Sequence, residues 1–296
     1  MLTNDHDYAA DRIVHLLHEG GHQVDRWHLD PQAMGPLSID WRSSDEPASA
    51  DYDSIWLRQF LPEATTAQTI YEVDDTLVSR EQWRTWLTDL AECSRPRWMN
   101  PLWASRRAEN KLIQLRQAGA VGLPVPATVV TNSRQTAIEH ARVHGPCVVK
   151  TVASAFNAFS DSSFVFTRPL ADALAAGDAD WKSQPLVIQQ RIDPCIDVRV
   201  IVVDRFTAAA RTSLDGVDWR TRSREAVWVP HELDASTREA CIALVERMGL
   251  VYGAIDFAFD GTHHWFLECN QAGEFAFIDT PLELGVAPAI ATWLAS

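Results

Sequence analysis

The sequence predicts an α/β (α+β) protein, a small N-terminal α/β domain followed by a larger mixed region, on three observations. Segments of helical period alternate with apolar strand-like runs along most of the chain. Pro96 and Pro101 in "SRPRWMNPLW" interrupt that pattern about a third of the way along. Near its end the chain carries an apolar hairpin, "YGAIDFAFDGTHHWFLECNQAGEF", with Asp256, Glu268 and Asn270 inside its strands.

At 296 residues the chain suits two units of ~150 residues each, or one large one. In residues 1–98 the pattern predicts a helix over Tyr8–Glu19, stopped by Gly20-Gly21. Strands follow near Val24–Leu29 and Asp53–Phe60, then a Trp-rich helix over Thr69–Cys93. Only Met1–Thr3 remain for a first strand, which leaves an upstream start open. His15, His18 and His22 recur at helical spacing, but the glycine stop precedes the third, so they read as solvent-facing. The twelve tryptophans read as packing residues. Residues 99–296 begin with a long helix, Ala104 to about Val121, ended by Gly122, after which "LPVPATVVTN" opens further strands and helices.

Composition narrows the function. Five widely spaced cysteines, without CxxC or zinc spacing, suggest neither a disulfide framework nor a structural metal, and point to a reducing, cytoplasmic setting. No apolar run reaches ~20 residues, so no membrane span is expected. A net charge of -14 argues against nucleic acid or an anionic membrane as the main partner. It leaves ATP open, because a few local cations and magnesium can neutralise a triphosphate.

Strand alternation gives the hairpin its logic. Ile255, Phe257 and Phe259 share one face and Asp256 points to the other; Trp265, Leu267 and Cys269 share a face opposite Glu268 and Asn270. A two-residue Asp260-Gly261 turn would put Asp256 on the face of Trp265 and Leu267. A three-residue loop, Gly261–His263, gathers the six apolar side chains and sets Asp256 opposite Glu268. Carboxylates so placed repel, and a hard cation between them turns that cost into binding. Asn270 adds a neutral oxygen on the same face. A solvent-facing polar side of an amphipathic hairpin remains the alternative.

Asp256 followed by Glu268-Cys-Asn270 resembles the magnesium-binding D...ExN signature of ATP-grasp ligases. "NPLWASRRAENKLIQLRQAGAVGLPVPATVVTN", "VVKT", "LVIQQRIDPCIDVRVIVV", "DWR" and "GLVYGAIDF...FLECNQAGEFAFI" are similar, in this order, to the microviridin-type ATP-grasp peptide ligases, or graspetide synthetases. The similarity extends to "LTNDHD" and "IWLRQ" near the start. It implies an ATP-grasp fold at 99–296, with a central part at about 99–185, a C-terminal part at about 186–296, and a pre-ATP-grasp domain at 1–98.

The resemblance also implies roles. Lys111 and Lys150 match the lysines used on ATP phosphates, against the readings of a surface-helix and a strand-edge lysine. Gln189, Gln190 and Ile192 lie in the segment whose backbone meets the adenine edge; relatives often carry Glu where Gln190 stands. Asp197 stands at the acid for the ribose hydroxyls, and Arg199, two positions on, would reach phosphate or a substrate carboxylate. Arg211 is the candidate for stabilising the transferring phosphoryl group, since the position two before Asp256, which can carry Arg in related ligases, is Ala254. Arg220 in "DWR" suits a substrate carboxylate or a salt bridge with Asp218. Asp256, Glu268 and Asn270 would hold magnesium.

The implied reaction is ATP-dependent activation of Asp or Glu side chains of a ribosomal precursor peptide, with its leader and acidic core, as acyl phosphates. A Thr or Ser hydroxyl or Lys amine of the peptide then closes a lactone or lactam. ATP and magnesium are the cofactors, and a homodimer is left open. The alternatives are another ATP-grasp ligase, acting on a free amino acid or small molecule, and a nucleotide-binding module without catalysis.

Overall fold

The computed structural model describes residues 1–3, 7–28, 52–58, 75–92, 96–152, 167–175, 181, 184–212 and 225–296. The N-terminal part holds β1 (Leu2–Thr3), α1 (Tyr8–Glu19), β2 (Trp27–His28), β3 (Ser54–Trp56), α2 (Asp75–Ala91) and β4 (Arg97–Met99). β1 pairs with β2 and β3 with β4, both in parallel. The expected α1 is borne out residue for residue. Asp7 caps it, its Oδ1 accepting from the Ala10 N–H at 3.2 Å. The expected extensions to Leu29 and Phe60, and the start of α2 at Thr69, lie outside the described residues. Trp27 stacks on Trp86 at 5.2 Å beside Leu87 and Leu90, as packing tryptophans do.

α1 does not pack within this part alone. Ala9, Ala10, Ile13 and Leu17 share a core with Trp56, Met99, Ile201, Tyr252 and the C-terminal helices α8 (Ala276–Leu282) and α9 (Val286–Ala295). The single helix expected from Ala104 to Val121 is two, α3 (Leu102–Ala108) and α4 (Lys111–Ala120). The break has a local cause: the Asn110 side chain accepts from the N–H groups of Leu112 and Ile113, capping a new helix.

The next part holds β5 (Thr128–Thr131), α5 (Arg134–His144), β6 (Cys147–Thr151), β7 (Arg168–Pro169), α6 (Leu170–Ala175) and β8 (Leu186–Gln190). Its strands form an antiparallel sheet ordered β5-β8-β6-β7. Cys147, Val149 and Ile188 turn one face to Ala137 of α5 and to Leu170 and Ala173 of α6.

β9 (Ile196–Val203), β10 (Phe206–Thr212), β11 (Val229–Pro230), α7 (Ala235–Arg247), β12 (Tyr252–Phe259) and β13 (His264–Asn270) complete the chain before α8 and α9. The five strands form an antiparallel sheet ordered β11-β10-β9-β12-β13. One face packs on α7 and α4 through Val198, Val200, Phe257, Phe266 and Cys269. Among the described residues no helix is long and apolar enough to cross a membrane.

The hairpin pairs Asp256 with Glu268 as expected, but by another route. Phe259 pairs with His264, so four residues, Asp260–His263, connect the strands rather than three. The Asp260 carboxylate accepts from the N–H groups of Thr262 (2.8 Å) and His263 (2.7 Å), and Gly261 takes φ +97°. That turn alone would set the register one residue off. An extra residue, Leu267, between the Phe257–Phe266 and Asp256–Glu268 pairs restores it. The six-residue apolar face is therefore corrected: Phe266 and His264 are buried on the face of Phe257, while Trp265 and Leu267 are half-buried.

Candidate active site

One row of the five-stranded sheet collects the charges. Ala210 lies opposite Arg199, Arg199 opposite Asp256, and Asp256 opposite Glu268. Residues directly opposite share a face, so Arg199, Asp256 and Glu268 point the same way. Arg199 Nε is 3.6 Å from Asp256 Oδ1. Lys111 Nζ is 3.3 Å from Glu268 Oε2. The charges thus run plus, minus, minus, plus, and each cation offsets the repulsion of the paired carboxylates. Exposure rises along the row, from 5% and 10% for the side chains of Arg199 and Asp256 to 16% each for Lys111 and Glu268, so its open end lies at Lys111. Asn270 Nδ2 is 3.3 Å from Glu268 Oε1, and a flip of the amide would present its oxygen there instead.

α4 delivers Lys111 because it seals the edge of β13. The Gln114 side chain accepts from the Cys269 N–H at 2.9 Å and donates to the Cys269 carbonyl at 2.8 Å, as a sixth strand would. Farther along, the Phe266 N–H donates to the Pro124 carbonyl. Asn100 fixes the other end: its Oδ1 accepts from the N–H groups of Val251 and Tyr252, and its Nδ2 donates to the carbonyls of Tyr252 and Gln271. All four contacts are 2.7 to 2.9 Å, so a fully buried amide meets its whole hydrogen-bonding capacity.

The four-stranded sheet carries a third cation, Lys150. Thr128, Gln189 and Val148 are aligned across β5, β8 and β6, and Lys150 shares their face, away from α5 and α6. Lys150 Nζ donates to Gln189 Oε1 at 2.8 Å, and Gln189 Nε2 donates to Thr128 Oγ1 at 3.1 Å. Gln190 turns the opposite way. Its N–H donates to the Ala127 carbonyl and its Oε1 accepts from the Ala127 N–H. Ile192 is half-buried in the five-residue connection to β9, and Asp197 stands two residues from Arg199 on the same face.

The sequence matches the model of the RimK-like ATP-grasp domain over residues 108–294, more than half of the chain. The chain belongs to the RimK-like ATP-grasp family. Its fold is similar to that of the macrocyclase MdnC of Microcystis aeruginosa MRC, solved with its precursor peptide MdnA, with a TM-score of 0.81, 20% identity and coverage of 100% of this chain and 98% of that one. The RiPP-associated ATP-grasp ligase of Chryseobacterium gregarium, solved with ADP and a leader and core peptide, gives 0.83, 24%, 99% and 95%. The macrocyclase MdnB of Microcystis aeruginosa MRC gives 0.75, 25%, 99% and 97%. A comparison with curated proteins finds no match.

The donor set fits the metal that this ATP-grasp chain would use. No group of three or more His, Cys, Asp and Glu side chains able to hold a metal occurs among the described residues. Two carboxylates and an amide do converge, which suits magnesium, an ion that takes one or two carboxylates and completes its octahedron with water and phosphate oxygens. Zinc would call for His or Cys ligands, and calcium for more oxygen ligands.

Arg211, predicted for the transferring phosphoryl group, does not join the row. Arg211 lies opposite Val198 and Val229, so its side chain points to the other face, exposed and near His231. The fold does not bring it to Asp256 and Glu268. Arg220 lies outside the described residues. Sequence reasoning missed Asn100 and Gln114, although each stands beside a feature that it did weigh: Asn100 before Pro101, and Gln114 three residues after Lys111.

Proposed function

We propose that this chain is an ATP-dependent peptide ligase that activates Asp or Glu side chains of a ribosomal precursor peptide and closes them onto Thr or Ser hydroxyls or Lys amines of the same peptide. The observation that carries this reading is the Arg199, Asp256, Glu268 and Lys111 row, in an ATP-grasp chain whose fold matches peptide-bound ligases over nearly its whole length. Magnesium held by Asp256, Glu268 and Asn270 would neutralise phosphate charge.

Lys111 and Lys150 hold the phosphates of ATP, with Gln189 orienting Lys150. The segment through Ile192 meets the adenine and Asp197 the ribose. Arg199 and Arg220 bind the substrate carboxylate. One carboxylate oxygen attacks the γ-phosphorus, the bond to ADP breaks, and an acyl phosphate forms. The hydroxyl or amine then attacks the acyl carbon, phosphate leaves, and the nucleophile loses its proton. Positioning and charge neutralisation supply most of the acceleration. A supply of ATP and of ribosomal peptide suits the cytoplasm.

The test is intact-mass analysis of a precursor peptide with an acidic, Thr-, Ser- and Lys-rich core, incubated with the protein, ATP and magnesium. The expected product has lost one water per ring, with one ADP formed each time. Gain of an amino-acid mass would show a ligase for free amino acids instead. Nucleotide binding without ADP formation would show a module without catalysis.

A further inference from the structure

"LTNDHD" and "IWLRQ" take no part in the row above. The fold brings Asp7 of the first to Arg58 of the second, and directs the pair to the turn that follows Asn270. Arg58 is 1% exposed. Its Nε donates to Asp7 Oδ2 at 3.2 Å, and Asp7 Oδ2 also accepts from Thr3 Oγ1 at 2.5 Å. Its Nη1 donates to two successive carbonyls, Ala272 at 2.6 Å and Gly273 at 3.0 Å. Its Nη2 bonds the Glu274 carboxylate. The guanidinium carbon lies 5.6 Å from the Trp56 ring centroid and 5.9 Å from that of Phe275.

The turn is held from the sheet side as well. The Tyr252 hydroxyl donates to the Gly273 carbonyl at 2.6 Å. A Cβ at Gly273 would stand 2.4 Å from Ala254 Cβ, 3.1 Å from Asn270 Cβ and 3.2 Å from Arg199 Nη2. Gly273 therefore seats directly against a metal-ligand candidate and the arginine of the charged row. Ala254 pairs with Asn270 and stands two residues before Asp256.

A buried ion pair is a poor stabiliser, because desolvation offsets its attraction and apolar side chains of similar volume often do as well. Arg58 supplies something that they cannot, a planar guanidinium whose three nitrogens reach Asp7, two adjacent carbonyls and Glu274 at once, beside the site. We propose that Arg58 is a positioning residue for the reaction. By gripping Ala272 and Gly273 it sets the turn that orients Asn270 and backs Arg199, so residues near the start of the chain complete a site built near its end. The turnover readout rests on the function proposed above; the nucleotide-binding readout does not.

The test uses Arg58→Lys and the double variant Asp7→Asn/Arg58→Met in the full chain. Lysine keeps the charge but, with one nitrogen in place of three, cannot hold Asp7, the two carbonyls and Glu274 together, and the double variant removes the charges of Asp7 and Arg58 together. Each is measured for thermal midpoint, for kcat and KM on ATP, and for ADP affinity across a magnesium titration. Both are expected to fold, to lose about 10- to 100-fold in kcat, and to need several-fold more magnesium for half-maximal ADP binding. Wild-type kcat and magnesium dependence in a folded variant would overturn the proposal. So would a loss fully accounted for by the unfolded fraction. If Arg58→Lys does not fold, the double variant decides. If the wild type binds magnesium and ADP but never dehydrates a peptide, the function proposed above fails, and the magnesium titration still decides the role of Arg58.

Discussion

Two adjacent rows of the five-stranded sheet, one residue apart on most strands, meet opposite environments. Pro230, Ala210, Arg199, Asp256 and Glu268 form one; Val229, Arg211, Val198, Phe257 and Phe266 form the other. The first carries four charges with Lys111 added, on the face that α7 does not cover. The second buries Val198, Phe257 and Phe266 against α7 and α4 and leaves Arg211 at the sheet's exposed margin. Face, more than residue type, separates the charged positions from the packed ones here. A slip of one residue would exchange the two rows, and the Leu267 bulge is what keeps Glu268 in the first.

The two rows should differ most at the carboxylates. Asp256→Asn and Glu268→Gln should each reduce ADP formation by about 10³-fold, as loss of a charge aimed at phosphate does, while circular dichroism stays unchanged. In the second row, Phe257→Ala should cost about 3–5 kcal/mol of stability, measured by urea unfolding, with far less effect on kcat per folded molecule. If Phe257→Ala abolished catalysis in folded protein, the division between the rows would fail.

A smaller effect is expected at the face shared with Arg211. His231 Nε2 and His264 Nε2 are 2.8 Å apart, so one must donate and the other accept. Burial lowers both imidazole pKa values; the charges of His264 and Arg211 add to the effect at His231, while Asp234 and Asp260 oppose it at His264. A folded pKa below the unfolded value means that the unfolded state binds more protons. This stability is therefore complete above about pH 6.5 and declines as pH falls from there through the folded pKa. The thermal midpoint should drop as pH falls below about 6.5, and His264→Asn should flatten that drop. The smallest effect belongs to Arg211→Ala, which should change kcat by no more than about 0.5 kcal/mol of barrier. A loss comparable to that of Glu268→Gln would put Arg211 at the phosphates and overturn its assignment to the outer face.

The sequence made α1 and the carboxylate pair legible, because caps and alternation are local signals. The turn was not, since Asp260 can close loops of different length and the choice depends on which hydrogen bonds its side chain makes. The bulge at Leu267 left no mark in a run of apolar residues. The face of Arg211 was readable in principle, because its separation from Arg199 through the β9–β10 turn fixes which residue pairs with which. The split between α3 and α4 also had a signal in Asn110, a common N-cap residue, which was outweighed by a continuous helical pattern. Arg58 was hidden for another reason: a buried cation and a surface cation look alike until distant segments meet.

The most direct test of the charged row is a titration of ADP binding with magnesium, in wild type and Glu268→Gln. Magnesium held at Asp256, Glu268 and Asn270 predicts that it tightens ADP binding to the wild type by about 10-fold or more and to Glu268→Gln hardly at all. Equal tightening in both proteins would contradict the assignment, because the ion would then be held elsewhere.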